Sequence, residues 1–294
     1  MSERINILKT YKIYIGGSFP RTESGRFYNP INTKKESLGN ICLSSRKDFR
    51  NAVVAARKAL GDWSDRTAFN RSQILYRMAE VLEGRRDQFI AELMQQGSSK
   101  KDAEKEVNLS IDRLVYFAGW CDKYQQIFSS VNPVASSHFN FSALEPTGVV
   151  AFVANQDSSL LGLVSYMAPI IAGGNTCVIL ASENKPLCSI SFAEVLNASD
   201  LPGGVVNILT GKKNELLAQM GSHMDVNAVC YTDGIKAELT ELKEAAIDNL
   251  KRIKSYSYDL TTAEVESPYI INDFQEVKTT WHPIEVIGAA KALY

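Results

Sequence analysis

From Gly148 onward the chain alternates short β-rich runs with helical runs, and this alternation fixes what the second half can fold into. Gly148 to Ala154 precedes an apolar helical stretch ending near Gly174, and Thr176 to Ala181 precedes one from about Pro186 to Asn197. Gly204 to Leu209 precedes a helix near Asn214 to Met220, and Val226 to Tyr231 precedes a long helix from about Gly234 to Lys251. Along that helix Ile235, Leu239, Leu242, Ala246, Leu250 and Ile253 recur at spacings of three and four, which predicts one buried stripe. A last strand is expected near Arg252 to Tyr258. Strands joined through helices pair in parallel by right-handed crossovers, so the pattern predicts a doubly wound α/β sheet of about five strands.

The first half has a different grammar. Residues 12 to 45 hold short extended runs broken by Gly16-Gly17, Pro20, Gly25 and Asn29-Pro30, as strands joined by turns. Ser45 with Asp48 resembles a capping arrangement, and Phe49, Val53, Ala56 and Leu60 follow on one helical face. A second helix is expected from Thr67 to Arg86, with Ile74, Leu75, Met78, Val81 and Leu82 buried. After Gly97-Ser-Ser-Lys-Lys101 a third runs to about Gln126, with Val107, Ile111, Leu114, Val115 and Ala118 inward. Its aromatic stretch, Arg113 to Lys123, reads as packing against the neighbouring domain rather than as a ligand cage. Val131 to Glu145 reads as a hairpin.

Composition removes several function classes. The chain has 294 residues, 45% apolar and 22% charged, which suits a globular protein with a large core. Lys plus Arg number 32 against 33 Asp plus Glu, a net charge of −1, so no basic field exists to attract nucleic acid or an anionic membrane. Met1 to Thr10 has no apolar run that could act as a secretory signal, and Ser159 to Gly174 is too short and too broken to span a bilayer. A cytoplasmic protein is expected.

Individual reactive residues carry little. Cys42, Cys121, Cys177, Cys188 and Cys230 are widely spaced, with no paired motif for zinc or redox chemistry, and read as reduced, mostly buried thiols. His138 and His223 have no nucleophile or metal partner near them in sequence and read as surface or packing residues, and the third histidine, His282, lies in a different kind of segment. Lys278-Thr-Thr-Trp-His-Pro283 suggests a docked strand or turn with an interaction surface. The glycine fingerprints of common dinucleotide and P-loop sites are absent, although a ligand on such a sheet belongs beyond the strand ends at Ala154, Ala181, Leu209 and Tyr231.

Several segments in order resemble the aldehyde dehydrogenase superfamily. Tyr14-Ile-Gly-Gly-Ser-Phe19 with Tyr28-Asn-Pro30 looks like its opening strands, Ala52 to Trp63 and Arg71 to Leu82 like its first long helices, and Tyr116-Phe-Ala-Gly-Trp120 like a further one. Glu145-Pro-Thr-Gly-Val-Val150, Ala168 to Thr176 and Leu201 to Gly211 are similar to its cofactor-domain signatures. The resemblance implies a Rossmann-like NAD(P)-binding-type domain over 1–130 and 147–258, with 131–146 and 259–294 as an oligomerisation arm and C-terminal segment. It places cofactor contacts at Val153, Ala154, Glu183, Gly211 and Gly234.

The departures from the family are as informative. Where it has a tryptophan-asparagine-phenylalanine-proline turn whose asparagine stabilises the oxyanion, Asn155-Gln-Asp-Ser-Ser159 puts Asp157, an acceptor, in that place. Leu180-Ala-Ser-Glu183 replaces the lysine-proline-serine/alanine-glutamate run that holds the adenosine ribose. At the phosphate turn Asp233 and Glu238 stand where the family has a serine or threonine and a second glycine, and a carboxylate there, as a helix cap, would compete with phosphate. The implied glutamate-leucine-glycine-glycine-lysine segment with its general base is replaced by Lys254-Ser-Tyr-Ser-Tyr-Asp259, and the sequence reaches Tyr294 without the catalytic domain and its cysteine. These features resemble the cysteine-free, truncated second unit of the two-part (family 16-like) aldehyde dehydrogenases. They imply a non-catalytic partner of a full-length aldehyde dehydrogenase, or a self-associating chain, joined through the strand arm. The alternatives are an NAD(P)-dependent oxidoreductase completed by a partner chain, and a nucleotide-binding homo-oligomer using Thr210-Gly211-Lys212-Lys213.

Overall fold

The protein is described here as a computed structural model covering residues 9–284. Its first half gives strands β1 (Phe27–Tyr28) and β2 (Ile41–Cys42), then helices α1 (Arg46–Ser64), α2 (Ala68–Gly84), α3 (Arg86–Gln95), α4 (Lys100–Trp120) and α5 (Tyr124–Phe128). β3 (Ser130–Asn132) and β4 (His138–Pro146) follow, and then the alternating half: β5 (Val149–Val153), α6 (Leu161–Ala172), β6 (Thr176–Leu180), α7 (Leu187–Asn197), β7 (Val206–Leu209), α8 (Lys213–Ser222), β8 (Ala228–Tyr231), α9 (Lys236–Ala245) and β9 (Arg252–Ser255). α10 (Pro268–Asn272) and β10 (Gln275–Pro283) complete it. Among the described residues no helix is long and apolar enough to cross a membrane.

The alternating half forms the expected five-stranded parallel sheet, in the order β7-β6-β5-β8-β9. Every residue of β5 and β6 is buried, because helices cover both faces. Alternate residues of β5 serve different cores: Val150 and Phe152 join one, and Val149, Ala151 and Val153 join the other. The β7 edge is covered, since Tyr14 and Ile208 exchange two backbone hydrogen bonds of 2.8 Å. There Gly203 is fixed by close approach: a Cβ on it would lie 2.6 Å from the carbonyl oxygen of Gly16.

α1 starts as the sequence predicts. Ser45 accepts from the Asp48 amide, and Asp48 accepts the Ser45 amide at 2.8 Å, a complete capping box. Four expectations need correction. α3 was not anticipated; only Arg85 separates it from α2, and it buries Phe89 and Leu93. α4 stops at Trp120, ahead of the separate α5, and Val115 is exposed because the inward face runs through Val107, Leu114, Phe117 and Ala118. α9 ends at Ala245, and Leu250, assigned to its buried stripe, lies outside it and in water. The fifth strand ends at Ser255 rather than near Tyr258, after which the chain turns away.

Residues 256–274 cross from β9 to the arm over the α4–α6 face. The buried Arg113 Nη2 donates to the Leu260 and Thr262 carbonyls at 3.0 and 2.7 Å, and Tyr116 Oη donates to the Glu266 carbonyl at 2.8 Å. The aromatic run in α4 is thus packing for this crossing segment. β10 pairs antiparallel with β4 from Gln275↔Pro146 to Pro283↔His138, and β3 lies on the other side of β4, making a three-stranded sheet. The Lys278–Pro283 segment is a strand. Of the predicted C-terminal segment, residues 285–294 lie outside the described region.

Candidate functional site

The carboxyl ends of β5, β6, β7 and β8 converge where a ligand of this sheet would sit. Their loops are joined by side chains of the chain itself. Gln156, after β5, accepts the Glu183 amide at 2.7 Å through Oε1 and donates to the Ala154 carbonyl at 3.0 Å through Nε2. Ser182 Oγ donates to the Gln156 carbonyl at 2.9 Å, and Asp233 accepts the Gln156 amide at 3.2 Å. Gln156 therefore stitches the loops after β5, β6 and β8 together.

Lys213, at the start of α8, is held between two carboxylates. Its ammonium pairs with Asp233 and, at 2.9 Å, with Glu238; the three side chains are 12%, 9% and 22% exposed. Tyr231 Oη donates to Glu238 at 2.7 Å and accepts the Ile235 amide at 3.2 Å. Burial alone would lower the Lys213 pKa, but the hydrogen bonds to Asp233 and Glu238 outweigh it and the net shift is upward. Burial and the Glu238 bond push the Tyr231 phenol up. One cation between two anions leaves the cluster net negative. A pyrophosphate brought to the start of α9 would meet these carboxylates, with Lys213 already engaged between them.

The individual site residues sit as follows. Val153 and Ala154 are buried, and the Ala154 amide donates to the Leu180 carbonyl at 3.0 Å. Leu180 is itself a core residue of β6. Glu183 is half-buried, its carbonyl accepting Tyr28 Oη at 3.2 Å. Gly211 is accounted for by packing, because an added Cβ would come within 3.3 Å of the Ser44 nitrogen, whereas Gly234 has φ +74° and open space where a Cβ would point. The expected cap does not form: α9 has Ile235 at its N-cap position with no side-chain cap, and Asp233 is committed to Lys213 and Gln156. In the Thr210–Lys213 loop, Thr210 is buried with its hydroxyl donated to the Cys42 carbonyl at 2.7 Å.

A second hollow of about 370 Å³ opens beside Asp157 and is lined by Asp102, Glu106, Asn155, Asp259 and Tyr258, among others. Glu106 reaches from α4 to accept the Leu160 and Leu161 amides at 2.9 and 3.1 Å, and Ser158 Oγ accepts the Gly162 amide at 2.8 Å, so the two side chains together cap α6. No cysteine is among the lining residues. Cys177, Cys188 and Cys230 are fully buried, and burial raises all three thiols; Cys121 is pushed up to about 12. Protonated buried thiols are poor nucleophiles. In the segment that replaces the general base, Tyr256 is stacked on Tyr166 with 4.9 Å between ring centroids and donates to Asp273 at 2.7 Å, while Lys254 holds the other Asp273 oxygen at 2.6 Å. Burial pushes the Tyr256 phenol up, so it is a donor and not a base. His138 contacts Ser136 Oγ at 3.0 Å and the Trp281 ring, and His223 accepts the Asp225 amide at 3.2 Å. Among the described residues no group of His, Cys, Asp and Glu could hold a metal ion.

Gln156, Tyr231, Glu106 and Tyr256 were not singled out as site residues in sequence, and Lys213 was named only within the Thr210–Lys213 loop. The Gln156–Asp233 and Glu106–Leu160 bonds span 77 and 54 positions, and no local spacing signals such pairs.

A sequence profile of the aldehyde dehydrogenase family matches residues 20–256. The cytosolic 10-formyltetrahydrofolate dehydrogenase of Mus musculus is 30% identical over 257 residues, covering 85% of this chain and 28% of that protein. An aldehyde dehydrogenase of Davidiella tassiana is 32% identical over 244 residues, 82% of this chain and 49% of its own length. The solved NAD+ complex of a Bacillus cereus aldehyde dehydrogenase superposes with a TM-score of 0.80 at 25% identity, covering 84% of this chain and 50% of that one. The chain thus spans half or less of the length of these relatives.

Proposed function

The chain belongs to the aldehyde dehydrogenase family, and from that premise we propose that it is a cytoplasmic, non-catalytic subunit, free of NAD(P), that assembles through its three-stranded arm with a full-length aldehyde dehydrogenase or with itself. The observation that carries this is the Lys213 cluster: Lys213 is bound by Asp233 and Glu238, and Gln156 ties the neighbouring loops together. These residues do not suit a dinucleotide, because a pyrophosphate would have to displace a bound carboxylate pair. The arm supports the other half of the proposal. Val131, Phe139, Val277 and Trp281 are all exposed on it, and a small sheet with apolar side chains in water is a site for another molecule.

A second reading, an NAD(P)-dependent oxidoreductase acting on aldehydes with a partner chain, is favoured by the uncapped first turn of α9 and the open space beside Gly234. It requires Lys213 to leave its carboxylates. Nucleotide binding by the Thr210–Lys213 loop has less support, since Thr210 and Lys213 are both engaged within the protein. Co-expression with a full-length aldehyde dehydrogenase from the same host separates the readings. The proposal expects co-purification in a fixed ratio and no aldehyde-dependent NADH formation by the chain alone; NADH formation by the isolated chain would overturn it.

A further inference from the structure

Two lysines of the described residues are withdrawn from water in opposite ways. Lys213 lies between carboxylates that raise its pKa, whereas Lys251, 7% exposed between the 3₁₀ turn Ile247–Asn249 and β9, has none to offset its burial. Burial brings the Lys251 pKa from 10.5 to about 8, which raises the fraction of neutral amine near neutral pH by about 300-fold. Its Nζ donates to the His223 carbonyl at 2.8 Å, and Asn249 Nδ2 secures the turn by donating to the Met224 and Val226 carbonyls at 3.3 Å each. Of the titratable groups nearby, Lys243 and Arg252 are cations, and burial holds His223 low, with Asp225 acting against Lys251, Arg50 and Arg57. A neutral amine bonded once in this way keeps its lone pair and one N–H free.

The surroundings suit a small apolar electrophile. Lys251 lines a shallow hollow of about 320 Å³ whose other walls are Lys243, Ala246, Ile247, Leu250 and Ile253. Ile247 and Leu250 are exposed, so the hollow has an apolar rim open to water. Its size is at the low end for a small-molecule site, and an amine freed of its proton is a nucleophile. No carboxylic acid stands beside the amine to protonate a departing group, so the electrophile that fits is a carbonyl, whose adduct sheds only water. The apolar side chains can cover the tail of the bound molecule, and a protonated imine retains one N–H for the His223 carbonyl.

We propose that Lys251 captures aliphatic aldehydes, its Nζ condensing with the carbonyl carbon of an aldehyde lodged in this hollow to give an imine. The Nζ lone pair forms the C–N bond, a proton passes from nitrogen to the carbonyl oxygen, and that oxygen leaves as water, with no change of oxidation state. Capture needs no dinucleotide and does not depend on assembly through the arm. The test incubates the full chain with hexanal and cyanoborohydride near neutral pH, which fixes any imine as a secondary amine, and maps the products by peptide mass spectrometry. Lys251 is expected to be labelled about tenfold or more faster than the exposed Lys34 and Lys101, because more of it is neutral. The preference should shrink with acetaldehyde, which has little tail for the hollow to cover. Ile247→Asp, at an exposed position where folding is not at stake, should slow labelling of Lys251 severalfold and leave Lys34 and Lys101 unchanged. Labelling of Lys251 no faster than the exposed lysines would overturn the proposal, as would a preference indifferent to both the aldehyde tail and Ile247→Asp.

Discussion

The cleft at the carboxyl end of the sheet and the arm leave opposite things unsatisfied. At the cleft, Lys213, Asp233, Glu238, Tyr231 and Gln156 are bonded to one another or to backbone, so few polar groups remain to receive a ligand. On the arm, β10 is almost wholly exposed, with Val277 and Trp281 on one face and Lys278 and His282 on the other. Polar groups are bonded inward at the cleft, and apolar side chains are left in water on the arm. The polar groups at the strand ends stabilise the loops that carry them, so the scaffold keeps its shape with those groups bonded to one another.

The largest effect expected on this contrast is at the cleft. Lys213→Ala leaves Asp233 and Glu238 close together without their cation, and should destabilise the fold by about 2–3 kcal/mol in urea denaturation, below the range for a fully buried pair because Glu238 is partly solvated. A loss under about 0.5 kcal/mol, the scale of an ordinary surface change, would mean the cluster does not hold the cleft shut. At the arm the pattern should reverse. Trp281→Asp should weaken binding to a partner aldehyde dehydrogenase by about tenfold or more, measured by surface plasmon resonance, while folding stability stays within about 0.5 kcal/mol.

A smaller effect separates the paired lysine from an unpaired one. Lys251 is buried with a carbonyl as its hydrogen-bond acceptor, and burial lowers its pKa from 10.5 to about 8. Between those values the unfolded chain binds more protons than the folded one, so this group makes stability rise with pH through the window and level off above it. Lys251→Met should flatten that rise and add about 1 kcal/mol at neutral pH, on the scale of relieving a partly solvated buried amine. Equal pH slopes in the two proteins would contradict the assignment.

Much of the fold was legible because it is written in local periodicity. The buried runs Val149–Val153 and Thr176–Leu180, the Ser45–Asp48 box and the alternation of strand and helix all depend on neighbours in sequence. The long-range polar pairs did not show. Lys213 meets Asp233 twenty positions on, and Glu106 caps a helix fifty-four positions away, so Asp233 read as a cap when it is half of an ion pair. Leu250 failed for another reason. Its three- and four-residue spacing presumes one continuous helix, whereas α9 ends at Ala245 and Leu250 follows a 3₁₀ turn with left-handed backbone angles.

The central claim is that the cleft is closed to the nicotinamide dinucleotides that family resemblance implies. Isothermal titration of NAD and of NADP into the purified chain tests it most directly. No saturable heat is expected with either up to the millimolar range, and saturable binding of either with a micromolar Kd would show that the cleft is open.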